Sequence, residues 1–554
     1  MTQRIRSTLV IVSLLIGSSG STAQPRTCAE AAKALDAALA HHVTVNEFGP
    51  QQANRATELA LELFREDMGS LVEADDLDVA KRMLERQSAE DRASRWAIGE
   101  CDEFHELARL RGQVIQRIDR QLDDAFASAS DAGVQPPQTA LAAKAQELVG
   151  QFIQHQEQFA PHEVAMQFTR EIMSRQRIAL AESNRDWAAI AMARATVGAL
   201  DRRTRFLLPR EQRRLKELVG GQVGLFGIRF ARDGLTPWGH LLAKPPAGTP
   251  GAQPGNLEEG LVLLAIDGES TVGKPPRELS DGLGQLGSRV ELEVARIKNR
   301  ALVNQRTVVL ERGLVVDEEH RLVVEQEVFA GVRVGTVKLP GFFAGASELL
   351  GRELELFAET GVTVVVLDLR GNPGGLVQEA LNVLDVLCPD SSFVDFQHSK
   401  GVKRGWSGGL PQAWSGALVV AVDGETASAA EIVAGTLQAK GRALVAGNRT
   451  WGKGSVQSGT SRGLPWGEVL VTKSRYFLEN GRSPQCVGIE PDVVLPAAVT
   501  PTERECTAPD ALPEPLPLEE SQSHAPPWRK TEVDAAHGLL GVAASYATQT
   551  ESAP

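Results

Sequence analysis

The feature that most constrains this chain is a nearly unbroken apolar run, Val362-Thr363-Val364-Val365-Val366-Leu367, closing on Asp368-Leu369. Side chains of a strand point alternately to its two faces, so a run without polar alternation needs apolar cover on both. Such strands belong to parallel sheets wrapped by helices. The run leads into Arg370-Gly371-Asn372-Pro373-Gly374-Gly375, at the carboxyl end of the strand, where open α/β sheets bind ligands. Adjacent glycines let backbone N–H groups approach a substrate carbonyl, although a tight turn would use them equally well. Asp368 and Arg370 read as a structural pair beside that loop.

A second apolar strand, Leu418-Val419-Val420-Ala421-Val422, turns through Asp423-Gly424-Glu425 into Thr426-Ala427-Ser428-Ala429-Ala430-Glu431 and a helical run that stops at Gly441. A serine at such a strand-to-helix turn presents its hydroxyl beside N–H groups that lack intrahelical partners and carry partial positive charge. Ser428-x-x-Glu431 is also the spacing of a capping box, which needs no chemistry. The base cannot be a neighbouring histidine, because none lies between residues 399 and 523. Lys453, flanked by Gly452 and Gly454, is the candidate. Burial would have to bring its amine from about 10.4 to roughly 7–8, at a cost of roughly 4 kcal/mol. Gln457, four residues beyond, is placed to orient the amine on either a helix or a strand.

Thr426-Ala427-Ser428-Ala429-Ala430-Glu431-Ile432-Val433-Ala434-Gly435, followed by Gly452-Lys453-Gly454-Ser455-Val456-Gln457, closely resembles the Ser–Lys core of the C-terminal processing (tail-specific) proteases, peptidase family S41. The resemblance implies Ser428 as nucleophile, Lys453 as general base and Gln457 as the residue that positions the lysine. Asp368-Leu369-Arg370-Gly371-Asn372-Pro373-Gly374-Gly375 matches a further family motif and implies an oxyanion hole formed by the Gly374 and Ala429 N–H groups. Residues 488–496 resemble the closing Gly-x-x-Pro-Asp motif. Ala439 stands where some relatives carry a polar residue. The implied fold of the core is α/β, ClpP/crotonase-like. No metal or organic cofactor is implied.

The rest of the chain divides by pattern. Arg4 and Arg6, an apolar segment from Leu9 to Ile16, and Ser21-Thr22-Ala23 make residues 1–23 a signal peptide, with a retained anchor as the alternative. The apolar segment is too short for a stable membrane span. Residues 24–216 read as a helical N-terminal domain with apolar residues at three- and four-residue spacing and a break near 128–137. Within it, residues 46–86 are similar to the helical domain of larger tail-specific proteases. Residues 200–210 resemble that family's entry segment, except that Arg202 and Arg203 replace its Pro-His pair.

Residues 217–312 change to short strands, glycine turns and a helix-like stretch at 276–286. They resemble a PDZ domain, which captures a C-terminal carboxylate by strand addition. Gly224, Leu225, Phe226, Gly227 and Ile228 would be its carboxylate loop, and the Pro/Gly-rich stretch 244–256 is longer than that pattern. Residues 313–496 are the protease core, and 497–554 a Pro/Glu-rich tail expected to be mostly disordered.

Five cysteines occur, Cys28, Cys101, Cys388, Cys486 and Cys506, without metal-binding spacing. In an oxidising compartment Cys28–Cys101 and Cys486–Cys506 are reasonable bridges, with the connectivity open. A net charge of −13 argues against nucleic acid. Two literal Gly-x-Ser-x-Gly matches occur, at Ser407 and Ser461; a nucleophile elbow needs a buried strand before it, but the stretch before Gly405 is polar, and downstream histidines lie only in the tail.

The reading is a multidomain, exported (periplasmic or extracytoplasmic) serine endopeptidase. It would act on proteins or peptides with apolar, unstructured tails and a free C-terminal carboxylate, with an activating adaptor left open. The alternative is a catalytically silent PDZ-type scaffold in which Ser428 only caps a helix.

Overall fold

The computed structural model describes residues 26–551, apart from 69–71, 131–136, 138, 210, 213–214, 216–221, 275–278, 280–287, 312, 317–321, 389–391, 407–408, 462–463, 465, 497–503, 508–510 and 516–537. Residues 1–23, expected to be a signal peptide, Ser407 and, apart from Leu279, the stretch 276–286 expected to be helix-like lie outside the described residues.

The chain forms two compact units. The first joins residues 26–35, 48–196 and 224–315, so the helical and small β regions, read above as two domains, fall in one unit. Its helices include Pro50–Met68, Ala74–Leu84, Ala89–Ala97, Asp102–Ser130, Ala140–Gln156 and His162–Arg185. Local chemistry sets their starts: Ser88 accepts from Asp91 N–H at 3.1 Å, and Thr139 from Ala142 N–H at 3.0 Å. Cys28 is bonded to Cys101.

The β region is an antiparallel sheet of Phe230–Thr236, Gly239–Leu242, Leu261–Ile266, Arg289–Lys298 and Ala301–Glu311 in that order, with Glu269–Ser270 paired to Leu261–Ile266. Phe226, Leu263, Leu292, Val294 and Leu310 fill its core. Helix and sheet share a small cluster of Phe168, Ile172 and Leu235, which is what merges them.

The second unit holds the candidate site. One of its sheets has six strands, in the order β2 (Val323–Phe329), β3 (Val332–Lys338), β4 (Val364–Asp368), β7 (Ala417–Val422), β8 (Leu444–Gly447) and β11 (Val493–Val494). Only β2 runs antiparallel to its neighbour. The apolar runs are explained by alternation with both faces covered. Val365, Leu367, Leu418, Val420, Val422 and Val445 face one cluster with helices α1 (Ala346–Glu359), α2 (Val377–Leu387) and α3 (Ala429–Ala439). Val364, Val366, Val419, Ala421, Leu444 and Ala446 face the other.

That second cluster is closed by Val542, Ala543, Tyr546 and Ala547 of α4 (Gly538–Glu551). Within the tail expected to be mostly disordered, this helix is therefore a structural layer of the sheet. Leu539 and Leu540 pack against the same cluster, and small alanines at 543 and 547 fill the rest of that face.

A second sheet, wholly antiparallel, runs β1 (Arg205–Leu207), β10 (Glu468–Leu478), β5 (Ser392–His398), β6 (Gly401–Trp406), with β9 (Ser455–Thr460) also on β10. Residues 36–47 and 197–216, assigned above to the helical domain, join this unit instead. The reason is a buried polar knot. Asp201 accepts from Thr204 Oγ1 at 2.6 Å and Thr472 Oγ1 at 3.1 Å, and pairs with His42 Nε2 at 2.6 Å. Val43 N–H donates to Thr472 O at 2.9 Å. Burial pushes the Asp201 carboxyl up, but the hydrogen bonds from His42 and Thr204 outweigh it and hold it below its ordinary value.

Candidate active site

Three loops at the carboxyl ends of β4, β7 and β8 converge. Thr426 ties the first two: its hydroxyl donates to Leu369 O at 2.9 Å and accepts from Asp423 N–H at 2.9 Å. Ala427 N–H donates to Asn372 O at 2.9 Å, and Trp451 N–H to Thr426 O at 3.0 Å. Asp368 and Arg370 form the expected pair, with Arg370 Nε donating at 2.8 Å.

Ser428 caps α3 in a conformation that non-glycine residues rarely adopt, φ 56° and ψ −117°. Its surroundings over-determine that backbone. Ser428 N–H donates to Glu431 Oε2 at 2.9 Å, and Tyr476 Oη donates to Ser428 O at 3.1 Å. The side chain is thereby turned toward Lys453, whose Nζ lies 3.4 Å from Ser428 Oγ. Ala429, the first residue of α3, presents its N–H beside that oxygen, in the turn whose N–H groups have no helical acceptor.

Glu431 is fully buried and surrounded by donors. It accepts from Thr450 Oγ1 at 2.5 Å, Gly452 N–H at 2.8 Å and Lys453 N–H at 2.8 Å, besides Ser428 N–H. One carboxylate thus holds both the serine turn and the lysine loop. Burial raises it to about 6 against the pull of its four donors. Lys453 is lowered to about 8, chiefly by burial and next by the Arg203 charge, against which Glu505 and Glu431 act. Tyr476 shares its one O–H between Ser428 O and Lys453 O, the latter at 2.9 Å. Burial pushes its phenol up, so it remains a donor.

A nucleophile, an amine near neutrality and a free helix N–H in one cluster can support acyl transfer. The model for peptidase family S41 matches residues 333–495. A carboxyl-terminal-processing protease of Picosynechococcus sp. is 31% identical over 298 residues, covering 53% of this chain and 69% of that one. The chain belongs to peptidase family S41. The chloroplastic C-terminal processing peptidase of Tetradesmus obliquus is 31% identical over 312 residues, 54% of this chain and 66% of its own. The tail-specific protease of Haemophilus influenzae is 24% identical, with 45% of its length covered. A solved photosystem II D1 C-terminal processing protease aligns at 29% identity over 57% of this chain and 84% of its own, with a TM-score of 0.34. This S41 chain thus spans about two thirds or less of the length of these curated relatives.

Two of the expected site residues sit in the S41 core differently from their expected roles. Gln457 does not reach Lys453: its Nε2 donates to Ser455 Oγ at 3.1 Å and Thr472 Oγ1 at 3.2 Å. Lys453 lies outside β9, which starts at Ser455, so strand alternation does not carry Gln457 back to it. Gly374 is in place, since a Cβ there would meet Ser428 Cβ at 2.8 Å and Ala429 N at 3.0 Å. Its N–H, however, donates to Asn372 Oδ1 at 2.8 Å, leaving Ala429 as the open donor.

The loop Phe226–Ile228 belongs to the first unit. Phe226 is a core side chain there, and Phe226 O accepts from Gly251 N–H at 2.7 Å, within the long Pro/Gly-rich stretch. Sequence reasoning gave Glu431 only a capping role and passed over Tyr476 and Asn372. The Ser-x-x-Glu spacing was the available signal for Glu431; nothing local distinguishes Tyr476.

Proposed function

We propose that this S41 chain is an exported serine endopeptidase that cleaves proteins bearing apolar, unstructured C-terminal tails, using Ser428 and Lys453 as a dyad. The observation that carries the reading is the 3.4 Å approach of Lys453 Nζ to a Ser428 Oγ on a strained turn, with the amine lowered to about 8. A lysine kept near neutrality inside a protein costs folding energy, and a helix cap has no use for one. That favours catalysis over the silent-scaffold alternative.

The proposed sequence starts as Lys453 accepts the Ser428 proton and Oγ attacks the scissile carbonyl carbon. The oxyanion rests on Ala429 N–H, joined by Gly374 N–H once that peptide turns from Asn372. As the C–N bond breaks, the lysinium protonates the leaving amine. Water then gives a proton to Lys453 and attacks the acyl ester, and Ser428 leaves with the proton returned. The small sheet of the first unit is proposed as the PDZ-like module that captures the tail carboxylate, with the loop from Gly224 to Ile228 as its N–H donors. Among the described residues, no helix is long and apolar enough to cross a membrane.

The test is intact-mass analysis of an unfolded, apolar-tailed protein incubated with the parent, Ser428→Ala and Lys453→Ala. Cleavage by the parent alone is expected. Undiminished cleavage by either variant refutes the dyad.

A further inference from the structure

The lysine loop is braced by chain from beyond the last strand. Cys506 is bonded to Cys486, and Cys486 N–H donates to Gly452 O at 2.8 Å. Gln485 spans loop and tail: its Oε1 accepts from Gly454 N–H at 2.9 Å, and its Nε2 donates to Leu512 O at 2.9 Å. Beside Cys506 stands Glu505, whose side chain is 2% exposed. Its carboxylate accepts from Arg203 Nε at 3.1 Å, from Arg203 Nη2, and from Trp451 Nε1 at 3.0 Å. Arg202 Nη1 donates to Glu505 O at 3.1 Å. The two arginines that replace the Pro-His pair of the resembling entry segment are thus the two that bind the tail.

Burying a carboxylate needs compensation; Arg203 and Trp451 supply it, and Trp451 stands two residues before the catalytic lysine. The charged groups facing Lys453 come from three elements: Glu431 from α3, Arg203 and Arg205 from the entry segment, and Glu505 from the tail. Resting on the Ser–Lys reading above, we propose that Glu505 and Arg203 are positioning residues for Lys453, Glu505 offsetting a guanidinium charge that otherwise faces the amine, and that the Cys486–Cys506 link holds Glu505 there. The electrostatics agree in sign: Arg203 pushes the amine down and Glu505 pushes it up. Glu505 is itself pushed up by burial, but the Arg203 hydrogen bond and charge outweigh this and hold it below its ordinary value. Cys506 is exposed and Cys486 partly so, which leaves the link open to thiol reductants.

A tail that served only as a latch would lower activity or stability when cut, without moving the pH profile in a charge-dependent direction. The experiment measures kcat/KM for an apolar-tailed peptide from about pH 6 to 10, where the acid limb reports the free enzyme's base. Glu505→Gln is expected to move that limb down by about half a pH unit or more, and Arg203→Gln to move it up by a similar amount. The double variant returns it toward the parent. In a Cys486→Ser/Cys506→Ser background, Glu505→Gln no longer moves the limb. Limbs that coincide with the parent's, or that move the same way in both single variants, overturn the proposal. A Glu505→Gln shift that persists without the two cysteines overturns the role of the link. Arg203→Gln carries the test if Glu505→Gln does not fold. Lys453→Ala, run in parallel, separates the two levels: full activity there refutes the dyad itself.

Discussion

Replacing Lys453 with methionine separates catalysis from stability. The amine falls from its ordinary 10.5 to about 8, a drop of about 2.5, worth about 3 kcal/mol at roughly 1.36 kcal/mol per unit. Because burial leads the causes, this is energy by which the folded state disfavours the charge. The sign follows from linkage. Below about pH 8 the lysine is protonated in both states and the whole penalty is present. Between about 8 and 10.5 the unfolded chain holds the proton that the folded chain has released, so the penalty fades as pH rises. Lys453→Met is therefore expected to abolish cleavage while making the core more stable at pH 7, by up to about 3 kcal/mol. That advantage should shrink toward the difference in packing alone near pH 10.5. Urea melts of parent and variant at pH 7, 8.5 and 10 read the difference, and the parent's kcat/KM should rise through a limb near pH 8. A variant no more stable than the parent at pH 7, or an advantage that does not change with pH, would refute the claim that the lysine is held near neutrality.

Three further substitutions test the frame around the dyad. Gly374→Ala puts a Cβ 2.8 Å from Ser428 Cβ at a residue with φ 104°; cleavage should fall at least about 100-fold while the melting curve moves by no more than about 3 kcal/mol. Glu431→Gln aims an amide N–H₂ at two of the four donors now satisfied by the carboxylate; a loss of about 3 kcal/mol in urea melts, with loss of cleavage, is expected. Val542→Asp buries a charge against the second face of the parallel sheet; it should destabilise the core by about 3 kcal/mol or more, and a neutral result would show that α4 does not cover that face.

Much of the core's architecture was legible because the rules involved are local. Unbroken apolar runs at 364–367 and 418–422 demand cover on both faces, wherever that cover comes from. The serine turn and the glycine-flanked lysine are short motifs whose backbone requirements are written in their own residues. Gln457 turns to Ser455 and Thr472 because the same-face rule holds only within one element, and where β9 begins, after Lys453, was not legible along the segment. The state of the Gly374 N–H was not legible either: it depends on the rotamer of Asn372, two residues away and tied by its own amide to Leu339 O at 2.9 Å.

By itself, then, the sequence determined that a two-faced parallel sheet would form, and which serine and lysine stood at the ends of its strands. Tertiary structure decided what surrounds them. A helix with an alanine-rich face from the far end of the chain became the sheet's second cover, because a run of apolar strand faces binds any apolar surface brought to it. A carboxylate from residue 505 came to be buried against the lysine loop, through contacts with Arg203 and Trp451 and a disulfide. Burial and charge at a point in space sum over everything packed there, and chain order carries no record of that sum.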